Sequence, residues 1–269
     1  MDQTTSPDGT RIAYDAWGSG PLVVIVGGAF NDRTAWAELA QALAAEGFRA
    51  VSYDRRGRGD SGDARPYAVE REIEDLVAVI DAARDRADDP VFLHGISSGA
   101  ALVFQALSAG VEAAGASGLE PPYRIEGAPP APADYIGTLQ EMVDRDDREG
   151  LVEYFHTQVV GMPAELLEPA KQSPMWPGLL AMAPTLVADG LALGGNDHSL
   201  PVGLLSRVRV PVLTVTSTGT VMPWLGQTAE RVAQALPNGR AVRLEGGFHE
   251  VPTGTLAPAL ANFYRAQTA

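Results

Sequence analysis

One short segment near residue 97 constrains the fold of this chain more than any other. The mostly apolar run Val91-Phe92-Leu93-His94 leads into Gly95-Ile96-Ser97-Ser98-Gly99, and a helix-compatible stretch follows. A strand, a sharp Gly-x-Ser-x-Gly turn and a helix form the setting in which such a serine acts as a nucleophile. Side chains at Gly95 or Gly99 would collide with the adjoining strand and helix, so this turn requires glycine there. The pattern predicts an elbow with the Ser97 hydroxyl exposed at its tip.

Strand-like and helix-like segments alternate on both sides of this elbow. The continuous β-branched run Leu22–Val26 is typical of a strand buried on both faces. The alternation predicts an α/β fold, with a mostly parallel central sheet and helices on both faces. Besides the elbow strand, strands are expected at 11–15, 22–26, 49–53, 113–119, 210–215 and 241–244, and helices at 31–46, 70–86, 228–236 and from 256 onward.

The alternation stops between Pro121 and about Ser206. Three prolines, at positions 129, 130 and 132, mark a linker, and the helical stretches that follow have no clear strand between them. The glycine-rich run 194–197 is typical of a return hinge. We therefore expect a core formed by residues 1–122 and 207–269, interrupted by a helical cap at 123–206.

A nucleophilic serine needs a base, and the chain has four histidines. His249 alone follows a late strand, which is the place of the base in serine hydrolases whose triad follows the chain order Ser, acid, His. His94 lies inside the elbow strand and is expected to be a hydrogen-bonded core group. His156 falls on a cap helix, and His198 in the return loop is expected to be solvated. We predict that His249 is the base.

The oxyanion site is expected after the strand 22–26, where Gly27-Gly28-Ala29-Phe30 turns toward a helix. The backbone N–H groups of Ala29 and Ser98 are the natural donors. One such donor typically contributes about 3 kcal/mol of transition-state stabilisation. A simple glycine turn between strand and helix would fit the same residues.

The acid of a triad is missing from its usual place after the strand predicted at 210–215. The loop Thr216–Pro223 has no carboxylate, so either the chain uses a Ser-His dyad or the acid comes from elsewhere. Glu120 ends the strand that follows the elbow strand, so it lies at the same sheet edge, and Pro121 and Pro122 offer no N–H to satisfy its carboxylate locally. Glu120 is the predicted acid. Weaker candidates are Asp189, Asp197, Glu245 and Glu250.

The composition excludes several classes of partner. A formal charge of −14 argues against nucleic acid and against anionic membranes. The absence of cysteine removes disulfides and thiolate chemistry. The polar residues 1–10 do not form a signal peptide, and the longest apolar stretch, 21–30, is too short to span a bilayer. We expect a cytoplasmic protein that needs no cofactor and no metal.

With these residues in hand, the chain resembles the α/β-hydrolases and, more narrowly, the zearalenone lactonases, which open a resorcylic macrolactone. Gly95-Ile96-Ser97-Ser98-Gly99-Ala100 is similar to their elbow, and Glu120-Pro121-Pro122 to the stretch that supplies their acid. Pro174-Met175-Trp176 resembles a cap segment whose tryptophan faces their substrate. The resemblance implies a substrate-binding role for Trp176.

The predicted reaction is hydrolysis of an ester or lactone through an acyl-enzyme formed by Ser97, His249 and Glu120. Methionine and aromatic residues are frequent in the cap, which fits a bulky apolar substrate such as a zearalenone-like macrolactone. A general carboxylesterase, an acyltransferase or a carbon–carbon hydrolase could use the same residues. A non-catalytic ligand-binding relative is the alternative from another class, and the absent aspartate is the one feature in its favour.

Overall fold

Eight strands form one sheet in the computed structural model, which describes residues 1–220 and 222–268. Val221, in the loop that lacks a carboxylate, and Ala269 lie outside the described residues. The strands are β1 (Asp2–Thr5), β2 (Arg11–Trp17), β3 (Leu22–Val26), β4 (Arg49–Tyr53), β5 (Val91–Ile96), β6 (Gly115–Leu119), β7 (Val212–Ser217) and β8 (Gly239–Leu244).

The order of the strands across the sheet is β1-β2-β4-β3-β5-β6-β7-β8. β2 pairs antiparallel with both β1 and β4, and all other pairs are parallel. In the centre, Val24 of β3 lies opposite Leu93 of β5. The predicted mostly parallel α/β sheet is confirmed. Its parallel strands bring their carboxyl ends to one edge, where the elbow also lies.

Helices cover both faces of the sheet. They are α1 (Ala37–Ala45), preceded by a 3₁₀ turn at Arg33–Trp36, then α2 (Val69–Ala83), α3 (Ser98–Ser108), α10 (Pro223–Ala235) and α11 (Thr253–Arg265). α1 and α11 pack on one face, where Leu43 and Leu260 are fully buried. α2, α3 and α10 pack on the other face, where Leu76, Phe104 and Val232 are buried. The sheet is therefore the middle of three layers.

A helical insertion connects β6 to β7. Its helices are α4 (Tyr135–Asp144), α5 (Arg148–Tyr154), α6 (Glu168–Lys171), α7 (Trp176–Met182), α8 (Leu186–Ala192) and α9 (Val202–Leu205), with single turns at Phe155–Val159, Ala164–Leu166 and Ala183–Thr185. Leu139, Leu151 and Leu186 form part of its own apolar core. The insertion is helical, as the sequence predicts, while the boundaries at 122 and 206 stay a prediction.

The elbow adopts the strained geometry that the sequence predicts. Ser97 has φ 55° and ψ −122°, between the end of β5 and the start of α3. A Cβ on Gly95 would collide with the backbone of Ala100, and one on Gly99 would collide with the carbonyl oxygen of Val26. Glycine is therefore required at both positions because strand, turn and helix approach each other closely.

The first strand and the starts of two helices differ from the sequence predictions. The helix expected from residue 31 begins as a 3₁₀ turn at Arg33 and becomes α-helical only at Ala37. β1 is not predicted because its four residues are polar and mostly exposed, and it exists through pairing with β2. α10 begins at Pro223 rather than near Thr228, since proline is well tolerated in the first turn of a helix. Within residues 1–220 and 222–268, no helix is both long and apolar enough to cross a membrane.

Candidate active site

The carboxyl edge of the sheet brings together a histidine and a glutamate 129 positions apart in the chain. The Nδ1 atom of His249, in the loop after β8, lies 2.7 Å from Oε2 of Glu120, directly after β6. Ser97 and His249 line the same cavity. The three residues expected to form a triad are therefore at one edge of the sheet.

The Glu120 carboxylate is fully buried and hydrogen-bonded at both oxygens. Its Oε1 atom accepts from Oγ1 of Thr216 at 3.0 Å and from the backbone N–H of Ser217 at 2.8 Å. Burial alone would raise the pKa of Glu120, but hydrogen bonds from His249 and Ser217 hold this pKa below its ordinary value. The end of β7, which has no acid of its own, thus supplies donors that keep Glu120 ionised.

The backbone is strained at all three of these residues. Ser97 has φ 55°, Glu120 φ 44° and His249 φ 54°, a region that non-glycine residues rarely adopt. Each such residue costs on the order of 1–3 kcal/mol, and the strain persists only where the surrounding structure imposes it. Seven non-glycine residues of the described chain have a positive φ, and three of them meet in this one cluster of hydrogen-bonding side chains, which is typical of a functional site.

The expected oxyanion donors lie beside the elbow. Ala29 and Ser98 both line the cavity, and Ser98 is the first residue of α3, where a backbone N–H has no partner within the helix. A Cβ added to Gly28 would lie 2.8 Å from the carbonyl oxygen of Ile96 and 2.9 Å from Cβ of Ser97. This close approach holds the loop containing Ala29 against the elbow.

The other carboxylates considered as the acid are placed elsewhere. Asp197 is exposed and accepts from Oγ of Ser199 at 2.6 Å. Glu245 and Glu250 are both exposed. Asp189 lines the cavity, but its carboxylate is held by two arginines. Only Glu120, among the candidates in the described chain, contacts His249.

The structure contains a buried network of ion pairs beneath the elbow that the sequence does not predict. Asp189, on α8 of the insertion, accepts from Oγ of Ser98 at 2.7 Å. It also accepts from Arg55 at 2.7 Å and from Arg58 at 2.8 Å, and Arg55 pairs with Glu72 at 2.6 Å. Burial would raise the pKa of Asp189, but the charges of Arg58 and Arg55 hold this pKa below its ordinary value. The network connects the insertion to the elbow.

We expect Asp189→Asn to destabilise the protein by about 3–5 kcal/mol, because it leaves buried guanidinium charge without its partner. The free energy of unfolding, measured by urea denaturation at pH 7, checks this value. The pKa of Asp189 is lower in the folded than in the unfolded protein. Its ionised carboxylate therefore adds to the free energy of unfolding above the unfolded-state pKa of about 3.9, and this addition is lost as the pH falls through the folded-state pKa. As a control, Asp88→Asn removes an exposed ion pair with Arg86 and should change stability by less than about 0.5 kcal/mol. Equal effects of the two variants would contradict the expectation.

The cavity at the elbow has a volume of about 280 Å³ and a mostly apolar wall. Ligand sites in proteins usually range from about 300 to 1,000 Å³, so this one is small. Among the described residues, no group of three His, Cys, Asp or Glu side chains is arranged to hold a metal ion. The apolar part of the wall includes Trp36, Ile96, Pro122, Phe155, Trp224 and Phe248.

The structure does not bring Trp176 to the cavity. Its side chain is only 9% exposed and packs in the insertion's own apolar core, beside residues such as Leu151 and Leu186. The helical spacing of apolar residues in the insertion explains this position, since one face of each helix must be buried. Trp36 and Trp224 line the cavity instead. Trp176 is not among the residues that line this cavity, and the substrate-binding role implied for it by the resemblance stays a prediction.

The remaining histidines also have defined environments. The prediction of a solvated His198 is wrong, because this side chain is 2% exposed, lies on the cavity wall and packs edge-on against Tyr135. Burial lowers the pKa of His198 to about 4. His94 is fully buried, and its Nδ1 atom lies 2.7 Å from Oγ of Ser117, in agreement with the core role predicted for it. His156 donates from Nδ1 to the Val152 carbonyl on the insertion.

Comparison with known proteins identifies the family to which this fold belongs. A solved alpha/beta hydrolase from Sphaerobacter thermophilus is 42% identical, with a TM-score of 0.89, over 98% of this chain and 100% of that one. A curated relative from Mycobacterium tuberculosis, provisionally named non-heme bromoperoxidase BpoC, is 27% identical over 89% of this chain and 90% of its own. An enol-lactonase from Burkholderia xenovorans, at 19% identity and a TM-score of 0.72 over 99% of each chain, shares the fold. The family model matches residues 23–258, and the chain belongs to the alpha/beta hydrolase family.

Proposed function

We propose that this protein is a serine hydrolase that cleaves an ester or lactone bond through Ser97, His249 and Glu120. The observation that carries the proposal is the 2.7 Å contact between Nδ1 of His249 and the buried Glu120 carboxylate, next to a cavity that Ser97 also lines. A carboxylate at this position orients the imidazole so that Nε2 can accept a proton from the serine hydroxyl. An imidazole oriented in this way activates a serine hydroxyl within its reach as a nucleophile.

In the proposed reaction, Oγ of Ser97 attacks the carbonyl carbon while His249 accepts the hydroxyl proton. The charge that develops on the carbonyl oxygen is stabilised by the N–H groups of Ala29 and Ser98. His249 then gives the proton to the leaving alkoxide, and an acyl-enzyme remains. Water, deprotonated by His249, then attacks the acyl carbon. The bond between this carbon and Oγ breaks, the acid leaves, and His249 returns the proton to Ser97. Glu120 stays ionised throughout and stabilises the imidazolium.

The finer question is the size of the substrate. The apolar wall supports an apolar acyl or alcohol group, and the position of Glu120 supports the resemblance to zearalenone lactonases. The volume of about 280 Å³ favours compact esters and lactones, because a macrolactone would require the insertion's helices to move outward. We therefore infer that compact substrates are hydrolysed faster than zearalenone.

Labelling with a fluorophosphonate tests the proposal directly. The probe should attach covalently to Ser97, identified by peptide mass spectrometry, since only an activated serine reacts with it. A panel of 4-nitrophenyl esters, small lactones and zearalenone, compared by kcat/KM, then ranks the substrate classes. If Ser97 is not labelled and no ester or lactone is hydrolysed, the proposed hydrolase function is rejected in favour of a ligand-binding protein. Zearalenone as the best substrate would reject the preference for compact molecules.

A further inference from the structure

One charged side chain on the cavity wall takes no part in the proposed reaction. Arg124 lies four residues after Glu120, lines the cavity with Ser97 and His249, and is half-buried. Its guanidinium donates through one nitrogen to the carbonyl oxygen of Pro129. An arginine in a largely apolar wall carries a desolvation cost, so its presence needs an explanation.

Arg124 has no carboxylate within ion-pairing distance among the residues that the structure describes. The chain carries 34 acidic residues, so acidic partners are not scarce. The other charged group of the wall, Asp189, is already paired with Arg55 and Arg58. Burial lowers the pKa of the Arg124 guanidinium, yet arginine stays protonated at neutral pH. The wall therefore contains one positive charge without a negative partner.

The neighbours of Arg124 hold it in place without neutralising it. Its backbone N–H donates to the His198 carbonyl at 2.7 Å, and its carbonyl accepts from Leu200 at 3.2 Å. Its guanidinium carbon lies 5.8 Å from the ring centroid of Trp224, a distance at which a cation is attracted to an aromatic face. His198, with a pKa lowered to about 4, is neutral at pH 7. The backbone of Arg124 is thus fixed at the cavity wall, and its guanidinium is held between the Trp224 ring and the Pro129 carbonyl.

We propose that Arg124 binds a carboxylate of the substrate, so that the preferred substrate is a compact apolar ester or lactone that also bears a carboxylate. The claim about the substrate rests on the proposed function. Binding of an anion at Arg124 does not require turnover. Guanidinium matches a carboxylate with two parallel N–H donors, which gives both affinity and orientation. Binding at Arg124 would hold the remote end of the molecule while its carbonyl lies at the elbow.

Calorimetry with a non-hydrolysable pair tests the anion site. The probes are 4-phenylbutyrate and 4-phenylbutyramide, which have the same shape and differ in charge. Wild-type protein should bind the carboxylate at least about 10-fold more tightly than the amide, which corresponds to about 1.4 kcal/mol. Arg124→Gln should remove this preference, and Arg124→Lys should retain part of it. Equal affinities in the wild type, or a preference that survives Arg124→Gln, would overturn the proposal.

Kinetics then separate the anion site from the reaction. The ratio of kcat/KM for mono-4-nitrophenyl succinate to that for 4-nitrophenyl butyrate should fall at least about 10-fold in Arg124→Gln. The matched control is Arg207→Gln, which removes an exposed arginine that contacts Ser108 and Gly203 away from the cavity, and it should keep the wild-type ratio. Circular dichroism melting verifies that each variant is folded. Turnover without a carboxylate preference would reject the anion site alone, whereas a calorimetric preference without turnover would reject only the proposed function.

Discussion

Replacing Ser97 by alanine should lower kcat for 4-nitrophenyl butyrate by about 10⁴-fold or more. The reason is that the variant loses the attacking oxygen, and with it the acyl-enzyme route. Donors at Ala29 and Ser98 would still polarise a carbonyl, so a small residual rate over water is expected. Alanine carries a Cβ as serine does, so it meets the same backbone strain at φ 55°, and the close packing at Gly95 and Gly99 is unchanged. The fold should therefore survive the substitution.

Steady-state kinetics together with fluorophosphonate labelling measure this effect. The control is Ser206→Ala, because Ser206 is exposed and donates only to the Gly203 carbonyl. This variant should label and turn over like the wild type. If Ser97→Ala kept more than about a tenth of wild-type kcat, with a normal melting curve, a different nucleophile would have to be sought.

Replacing Glu120 by glutamine should lower kcat by at least about 10²-fold while leaving the protein folded. Glutamine has the same shape, and its carbonyl oxygen can still accept from Thr216 and Ser217. Its amide nitrogen then faces Nδ1 of His249 and can only donate to it. That contact favours the tautomer protonated at Nε2, which cannot accept the proton of Ser97. The fall in kcat therefore has two causes, the wrong tautomer of His249 and the missing negative charge beside its imidazolium.

The matched control for Glu120→Gln is Asp197→Asn. Asp197 is exposed and its contact is with Ser199, so its loss should leave kcat close to the wild-type value. Both variants remove one carboxylate from the chain, and only one of them touches His249. Comparable kcat values for the two variants would exclude Glu120 as the acid and would favour a Ser-His dyad.

Local sequence signals predict the elbow and most of the sheet well. Glycine at 95 and 99 is required by close backbone contacts, so the spacing alone identifies the turn. The strand predicted at 22–26 coincides with β3, because a continuous apolar run with turn residues at each end has few other solutions. The strand predicted at 49–53 coincides with β4. Glu120 follows from strand order, since neighbouring parallel strands end at one edge. These inferences need no knowledge of distant contacts.

The failures concern residues whose environment depends on distant segments. His198 lies in a polar, glycine-rich stretch, and its burial results from the pairing of its neighbour Ser199 with Arg124, 75 positions earlier. Trp176 is apolar on a helix, and the sequence does not reveal whether that face meets the cavity or the insertion's own core. The partners of Asp189 are likewise more than 90 residues away. Tertiary contact decides each of these cases.

The position of Asp189 on α8 also bears on how this protein could be recombined with its relatives. α8 belongs to the insertion by chain order, yet the Asp189 carboxylate on it binds Ser98 and Arg58 beside the elbow. A chimera that exchanged the whole insertion would replace α8 and lose these contacts. A crossover placed just before residue 185 would transplant the outer helices and keep α8 together with Thr185, which accepts a hydrogen bond from Arg58, so specificity could be exchanged while this network stays intact.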